Sequence, residues 1–199
     1  GPDIAVRAQP VPLDESDPGR DRIGRFAWAG GVWLTSSDTS RLHGLSDIKV
    51  DPKGALIAES DEGDLLRARV TLGPDGKLTG LAGARMTALT GEDGKPLQTK
   101  AEADSEGIAL FPNGDLLVSF EEHDRILLYP ARGGPPHAAP SPDVKFPFNL
   151  GMEALALAPD FGPDAYVTGG EASGQTWICR LSSGCVADRV VPKPPEYGL

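Results

Sequence analysis

Several kinds of residue are scarce in this chain, and each scarcity excludes something. No apolar run approaches the ~20 residues that a membrane-spanning helix requires, so no such span is expected. Basic residues are outnumbered, with 19 Lys and Arg against 29 Asp and Glu, which leaves a net charge of −10. A field of that sign repels a phosphate backbone and attracts divalent cations, so nucleic acid is not an expected partner. The three histidines, His43, His123 and His137, show no metal-ligand spacing. His137 lies in "GGPPHAAPSPD", which reads as an extended loop. Met occurs only twice, and no segment shows a convincing 3.6-residue periodicity, so amphipathic helices are not expected.

The familiar signatures of catalysis are also missing. "GEDGKP" lacks the spacing and the Ser or Thr of a phosphate-binding loop. A nucleophile elbow needs Gly two positions either side of the serine. Ser46 has Gly44 before it but Ile48 after it, and Ser105 has no Gly before it. Only two cysteines are present, Cys179 and Cys185 in "CRLSSGC". A structural zinc site needs four ligands, and no second Cys pair or nearby His supplies them. A hairpin turning at Ser-Ser-Gly would bring the two within disulfide reach, which implies an oxidising compartment.

The sequence opens with neither an initiator Met nor a signal peptide, and the native beginning is expected to have been removed ahead of it. Gly1-Pro2 reads as the scar of tag removal, and residues 3–25, with Pro10, Pro12 and Pro18, as an irregular lead-in or an edge strand. The folded domain is expected over residues 26–199.

Gly (25) and Pro (19) are abundant without a collagen-like period, which points to short strands and tight turns. Residues 44–70, 104–130 and 151–181 repeat one layout: an apolar strand, a Pro/Gly/Asp turn, a second strand, an acidic loop and a third strand. The turn prolines Pro52, Pro112 and Pro159 lie 60 and 47 positions apart, and residues 90–104 form an excursion within the longer gap. Strand repeats near this length are those of a β-propeller, at about 40–50 residues per blade. A sandwich also uses many strands, but it does not require each unit to repeat one hairpin with acids at equivalent places. The expected fold is therefore all-β, a β-propeller. Three units and a partial one do not readily close a ring of 4–8 blades. The chain is thus expected to be an incomplete, N-terminal portion with three to four blades, completed by another chain or segment. The final "PPEYGL" reads as the entry to a further strand.

Six residues before the turn prolines stand Ser46, Glu106 and Glu153. Strand alternation would put Glu106 on the face of Ile108 and Leu110, and Glu153 on that of Leu155 and Leu157, each at a strand's rim. The loop after the second strand carries Asp61 and Glu62, Glu121 and Glu122, then Glu171. A hairpin returns the chain to its starting side, so both sets of acids belong to one end of the sheets. Crowded carboxylates stay ionised only beside cations, and hard oxygen ligands favour calcium or magnesium. The candidate metal ligands are Asp61, Glu106, Glu121, Glu153 and Glu171. Glu106 and His123 are the candidate proton carriers. Solvated carboxylates paired with Arg67 or Arg125 are the simpler reading of the same residues.

"HGLSDIKVDPKGALIAESDEG", "EADSEGIALFPNGDLLVSFEEHDRILLYP" and "NLGMEALALAPD" resemble the phytase-like family, whose bacterial members are described as having esterase-like activity of phytase. The resemblance spans about residues 24–181. It is most specific through Asp104, Glu106, Gly107, Glu121 and Arg125. It implies an exported, periplasmic propeller and hydrolysis of an ester or phosphoester. Propeller phytases hold phosphate through calcium ions in an acidic channel. This chain departs from the family at "SDEGD", where Ser-Asp-Arg-Gly is usual. Three functions remain: a metal-assisted hydrolase of a small ester or phosphoester, a non-catalytic envelope propeller binding a protein or small ligand, and a calcium-dependent sugar-lactone hydrolase.

Overall fold

The computed structural model describes residues 1–192. Strands β1 (Arg7–Val11), β2 (Arg22–Ile23), β3 (Phe26–Ala27) and β4 (Gly31–Thr35) come first. β5 (Leu45–Val50), β6 (Ala55–Ser60), β7 (Asp64–Leu72) and β8 (Leu78–Ala88) follow. After the short helix α1 (Lys100–Ala103) come β9 (Ser105–Leu110), β10 (Leu116–Phe120), β11 (Arg125–Tyr129) and β12 (His137–Ala139). β13 (Met152–Leu157), β14 (Ala165–Gly170), β15 (Gln175–Arg180) and β16 (Gly184–Val190) complete the series.

Three sheets have four strands each, in the orders β5-β6-β7-β8, β12-β11-β10-β9 and β13-β14-β15-β16. Each expected unit thus contains its three strands plus a fourth. His137 opens β12 instead of lying in a loop. β1 pairs antiparallel with β4, so residues 7–11 of the lead-in are an ordered strand. α1 is a single short turn and leaves the expected all-β class in place. It has only four residues, and Thr99 and Glu102 close a reciprocal capping box around its first turn. "PPEYGL" lies outside the described residues.

The residues group into two compact units. The first comprises residues 1–43, 50–57 and 66–87. The second comprises residues 44–49, 58–65 and those from 88 onward, and it contains the acids of interest.

The turn chemistry follows from Pro and Gly. In "DPKG" the Gly54 amide donates to the Asp51 carbonyl (2.9 Å), and in "FPNG" the Gly114 amide donates to that of Phe111 (2.9 Å). Both glycines have positive φ, 79° and 91°, which a side chain would strain. The third turn is longer and holds a 3₁₀ segment, Pro159–Phe161.

The core of the second unit lies between the sheet of β9–β12 and that of β13–β16. Leu117, Ile126, Met152, Leu155 and Tyr166 are buried there, and Phe146 meets Trp177 edge-on at 5.7 Å. The two sheets approach closely at Gly107. A Cβ there would lie 2.8 Å from Leu155 Cβ and 2.9 Å from Ser119 Oγ. Gly107→Ala is therefore expected to destabilise the protein by about 1–3 kcal/mol, as overpacking does. A shift in the urea midpoint at constant slope checks this, and an unchanged midpoint contradicts it.

Cys179 and Cys185 are register partners on β15 and β16 and form a disulfide. Gly184, at φ 95°, allows the turn. The loop is small, so reduction is expected to cost only about 2 kcal/mol by chain-entropy arithmetic. Thiol titration of the unfolded, unreduced protein should find no free thiol.

Candidate functional site

The acidic end is built by one hydrogen bond made three times. The Asp61 amide donates to the Gly44 carbonyl (2.9 Å), that of Glu121 to Asp104 (2.8 Å) and that of Glu171 to Gly151 (3.0 Å). Each bond ties the acidic loop back to the residue two positions before Ser46, Glu106 or Glu153. The return loops and the first strands therefore begin from common points.

Strand alternation does not extend to the two glutamates. Gly107 pairs with Ser119 and Ser105 with Phe120, so Glu106 is the extra residue of a β-bulge. Met152 pairs with Gly170 and Ala154 with Gly169, and Glu153 is the extra residue there. The expectation that each glutamate shares a face with the apolar residues two and four positions on is thus corrected. Bulges re-aim side chains and are frequent beside functional sites.

Two carboxylate triads result. Asp104, Glu106 and Glu121 place one oxygen each within 4.8 Å of one another, and so do Glu121, Glu153 and Glu171. Glu121 is common to both. Its Oε1 accepts the Gly151 amide at 2.5 Å, which fixes the shared carboxylate. A Cβ on Gly151 would press on the side chains of Asp124 and Glu121, which would have to shift. Four of the five expected ligands, Glu106, Glu121, Glu153 and Glu171, are brought together. Asp61 belongs to neither triad, and its Oδ2 instead pairs with Lys100 Nζ (3.2 Å).

The electrostatics follow from burial and crowding. Burial, with Glu153, Asp104 and Glu121 alongside, pushes Glu106 up to about 8. Burial and the charges of Glu121, Glu171 and Asp104 bring Glu153 to about 7. Burial raises Glu121 and Asp124 as well. Lys100 brings a cation to this end. It bonds Asp104 Oδ1 (2.5 Å) and the Asp61 carbonyl (2.7 Å). Partial burial opposes its charge, but these acids outweigh it and raise its pKa.

Sequence reasoning missed three of these participants. Asp104 appeared only as a family-motif residue, and Lys100 only as part of an excursion. Glu59 was passed over although it stands inside the apolar strand "ALIAES". It is 0% exposed, and neither carboxyl oxygen has a hydrogen-bond partner among the described residues. The neighbouring Ser105 hydroxyl gives its proton to the Ser60 carbonyl (2.6 Å). Burial, opposed by Ser105 and reinforced by Glu106, Asp47 and Asp61, lifts Glu59 to about 8. A buried acid in an apolar strand is a signal in its own right, because it costs several kcal/mol unless compensated.

His123 is exposed. Arg125 does not form an ion pair with the triads. It donates to the carbonyls of His123 (2.8 Å) and Glu102 (2.5 Å) and lies 4.1 Å over the Phe120 ring.

Comparison with solved structures finds a catalytically inactive virginiamycin B lyase from Staphylococcus aureus in complex with quinupristin. It has 11% identity and a TM-score of 0.52, over 96% of this chain and 61% of that one. A streptogramin B lyase aligns with 14% identity and a TM-score of 0.46, over 77% of this chain and 56% of that one. The chain thus spans less than two thirds of these two relatives. No curated protein sequence matches it. The first likeness and the three four-stranded antiparallel sheets identify the fold as all-β, of the β-propeller type. Residues 40–172, which include both triads, match the family model for esterase-like activity of phytase, and the chain belongs to the phytase-like family.

Proposed function

We propose that the protein is an exported hydrolase of esters or phosphoesters whose acidic end binds a calcium-like cation. The observation that carries this reading is the pair of carboxylate triads sharing Glu121. The burial of Glu59 beside them, with no donor to either oxygen among the described residues, supports it independently. The donor set is all oxygen, which suits calcium or magnesium and not zinc. Glu121, Glu153 and Glu171 would hold the ion. A cation bound there would polarise the carbonyl or phosphoryl oxygen of the substrate.

Glu106 adjoins this set through Glu121 and is the group assigned to take a proton from the attacking water. Water oxygen bonds to the carbonyl carbon or phosphorus. The bond to the leaving alcohol oxygen then breaks, and the proton passes to that oxygen. The products are an acid and an alcohol, with no change of oxidation state. His123, the other candidate proton carrier, is exposed and tested by the same assay. The Cys179–Cys185 disulfide supports an oxidising compartment such as the periplasm.

Hydrolysis of p-nitrophenyl butyrate and p-nitrophenyl phosphate, with calcium and then with chelator, tests this reading. Turnover of at least one should require calcium. Glu106→Gln should lower it by about 10²–10⁴, the range of general base catalysis, and His123→Ala by much less. Calcium binding without turnover of either would favour a non-catalytic envelope propeller.

A further inference from the structure

A cavity of about 420 Å³ opens beside Glu153, within the second unit. This falls within the range of small-molecule pockets, roughly 300–1,000 Å³. One wall is the first strand of the last sheet, where Ala154 and Ala156 are exposed to the cavity on either side of Leu155. Val167 and Thr168 of β14 continue that wall. Thr168 is 1% exposed, and its buried hydroxyl has no hydrogen-bond partner among the described residues.

The cavity has one cation, Lys49, and its charge is already committed. Lys49 Nζ bonds both oxygens of Asp47, at 2.7 and 2.5 Å, and Asp47 also accepts the Ile108 amide at 3.0 Å. Lys100, at the acidic end, is likewise held by Asp61 and Asp104. Neither of these two ammonium groups is therefore free to clamp a polyanionic group in the cavity. An uncharged apolar group would meet small aliphatic side chains and lose water on entering.

We infer that this cavity is the acyl-binding subsite of the enzyme, taking the short uncharged acyl chain of an ester whose carbonyl lies toward Glu153. The inference rests on the hydrolase reading above and narrows its substrate to carboxylic esters with an apolar acyl group.

Ligand-observed NMR with 2-hexanone, an uncharged carbonyl compound that is not hydrolysed, tests the subsite apart from catalysis. The full chain should show binding, and Ala156→Phe, which fills the cavity with a strand-compatible side chain, should weaken it at least tenfold. Should that variant not fold, Ala154→Leu on the same wall serves in its place. Thermal melting with calcium, run on the same samples, separates the two ideas. The calcium response should persist in the filled variant. Absence of 2-hexanone binding, or binding indifferent to the filling substitution, overturns the acyl subsite even if calcium binds. Displacement of 2-hexanone by inositol hexakisphosphate would likewise overturn the assignment to uncharged groups. Loss of the calcium response in the wild-type protein defeats the cation reading instead, and leaves the fate of the subsite to the NMR result.

Discussion

Glu121→Gln should abolish the calcium-dependent rise in melting temperature that the wild-type protein shows. Glu121 is the one carboxylate common to both triads, so its replacement removes a charged ligand from each. The substitution is nearly isosteric. A Gln carbonyl can still accept the Gly151 amide that Glu121 Oε1 now accepts, so the loop should remain in place. A ligand that binds only the folded state stabilises it by about 2.7 kcal/mol at a hundredfold excess over its dissociation constant. The wild-type protein should gain on that order with calcium in excess, and Glu121→Gln nearly nothing. Glu106→Gln should leave most of the shift in place, because Glu106 lies outside the triad that would hold the ion. Melting curves with calcium and with chelator check both variants. An equal shift in Glu121→Gln and wild type would contradict the shared-ligand account.

Chelator-treated protein should lose stability as pH rises from about 4.5 to about 8. The sign follows from linkage. Glu59 and Glu106 titrate near 8 and Glu153 near 7 in the folded state, against about 4.3 for glutamate in an unfolded chain. Between these limits the folded state binds more protons than the unfolded state, so stability decreases with increasing pH. One pKa unit corresponds to about 1.4 kcal/mol. Glu59, fully buried, contributes the largest share, on the order of a few kcal/mol. Glu106 and Glu153 are partly exposed, and solvent screening reduces theirs. Calcium should flatten the profile, because the cation favours the ionised carboxylates. Glu59→Gln in chelator should flatten it as well. Urea unfolding at pH 5, 6.5 and 8 measures the slope, and stability that is constant or rises over that interval would contradict the prediction.

Much of the architecture was legible because turns carry distinctive chemistry. Pro52, Pro112 and Pro159 mark equivalent hairpins, and the strands on either side are rich in Leu, Ile and Val. The fourth strand of each sheet was harder to see. β8 is interrupted by Gly80 and Gly83, and the approach to β12 is crowded with Gly and Pro, so neither reads as a strand from propensity. The Cys179–Cys185 pairing followed from spacing and a turn, and the two are cross-strand partners.

The acidic end was legible in its topology and not in its detail. Repeat alignment selected Glu106, Glu121, Glu153 and Glu171, which the structure gathers. It also selected Asp61, which the structure gives to Lys100, because nothing local announced that α1 would carry an ammonium to that loop. Period-two reasoning misread the glutamates' faces. A bulge adds one residue to a strand, and only the cross-strand register reveals it. Glu59 stands inside an apolar strand and not at the end where the repeats align their acids, and burial there is what raises its pKa.

Isothermal titration of chelator-treated protein with calcium at pH 7.5 tests the central claim most directly. The carboxylate triads predict saturable binding of at least one ion per chain, with proton release as the raised carboxyls ionise. They also predict weakening of at least a hundredfold in Glu121→Gln. Absence of saturable binding at millimolar calcium, with the wild-type fold intact, would contradict the account and leave the acids as solvated strand ends.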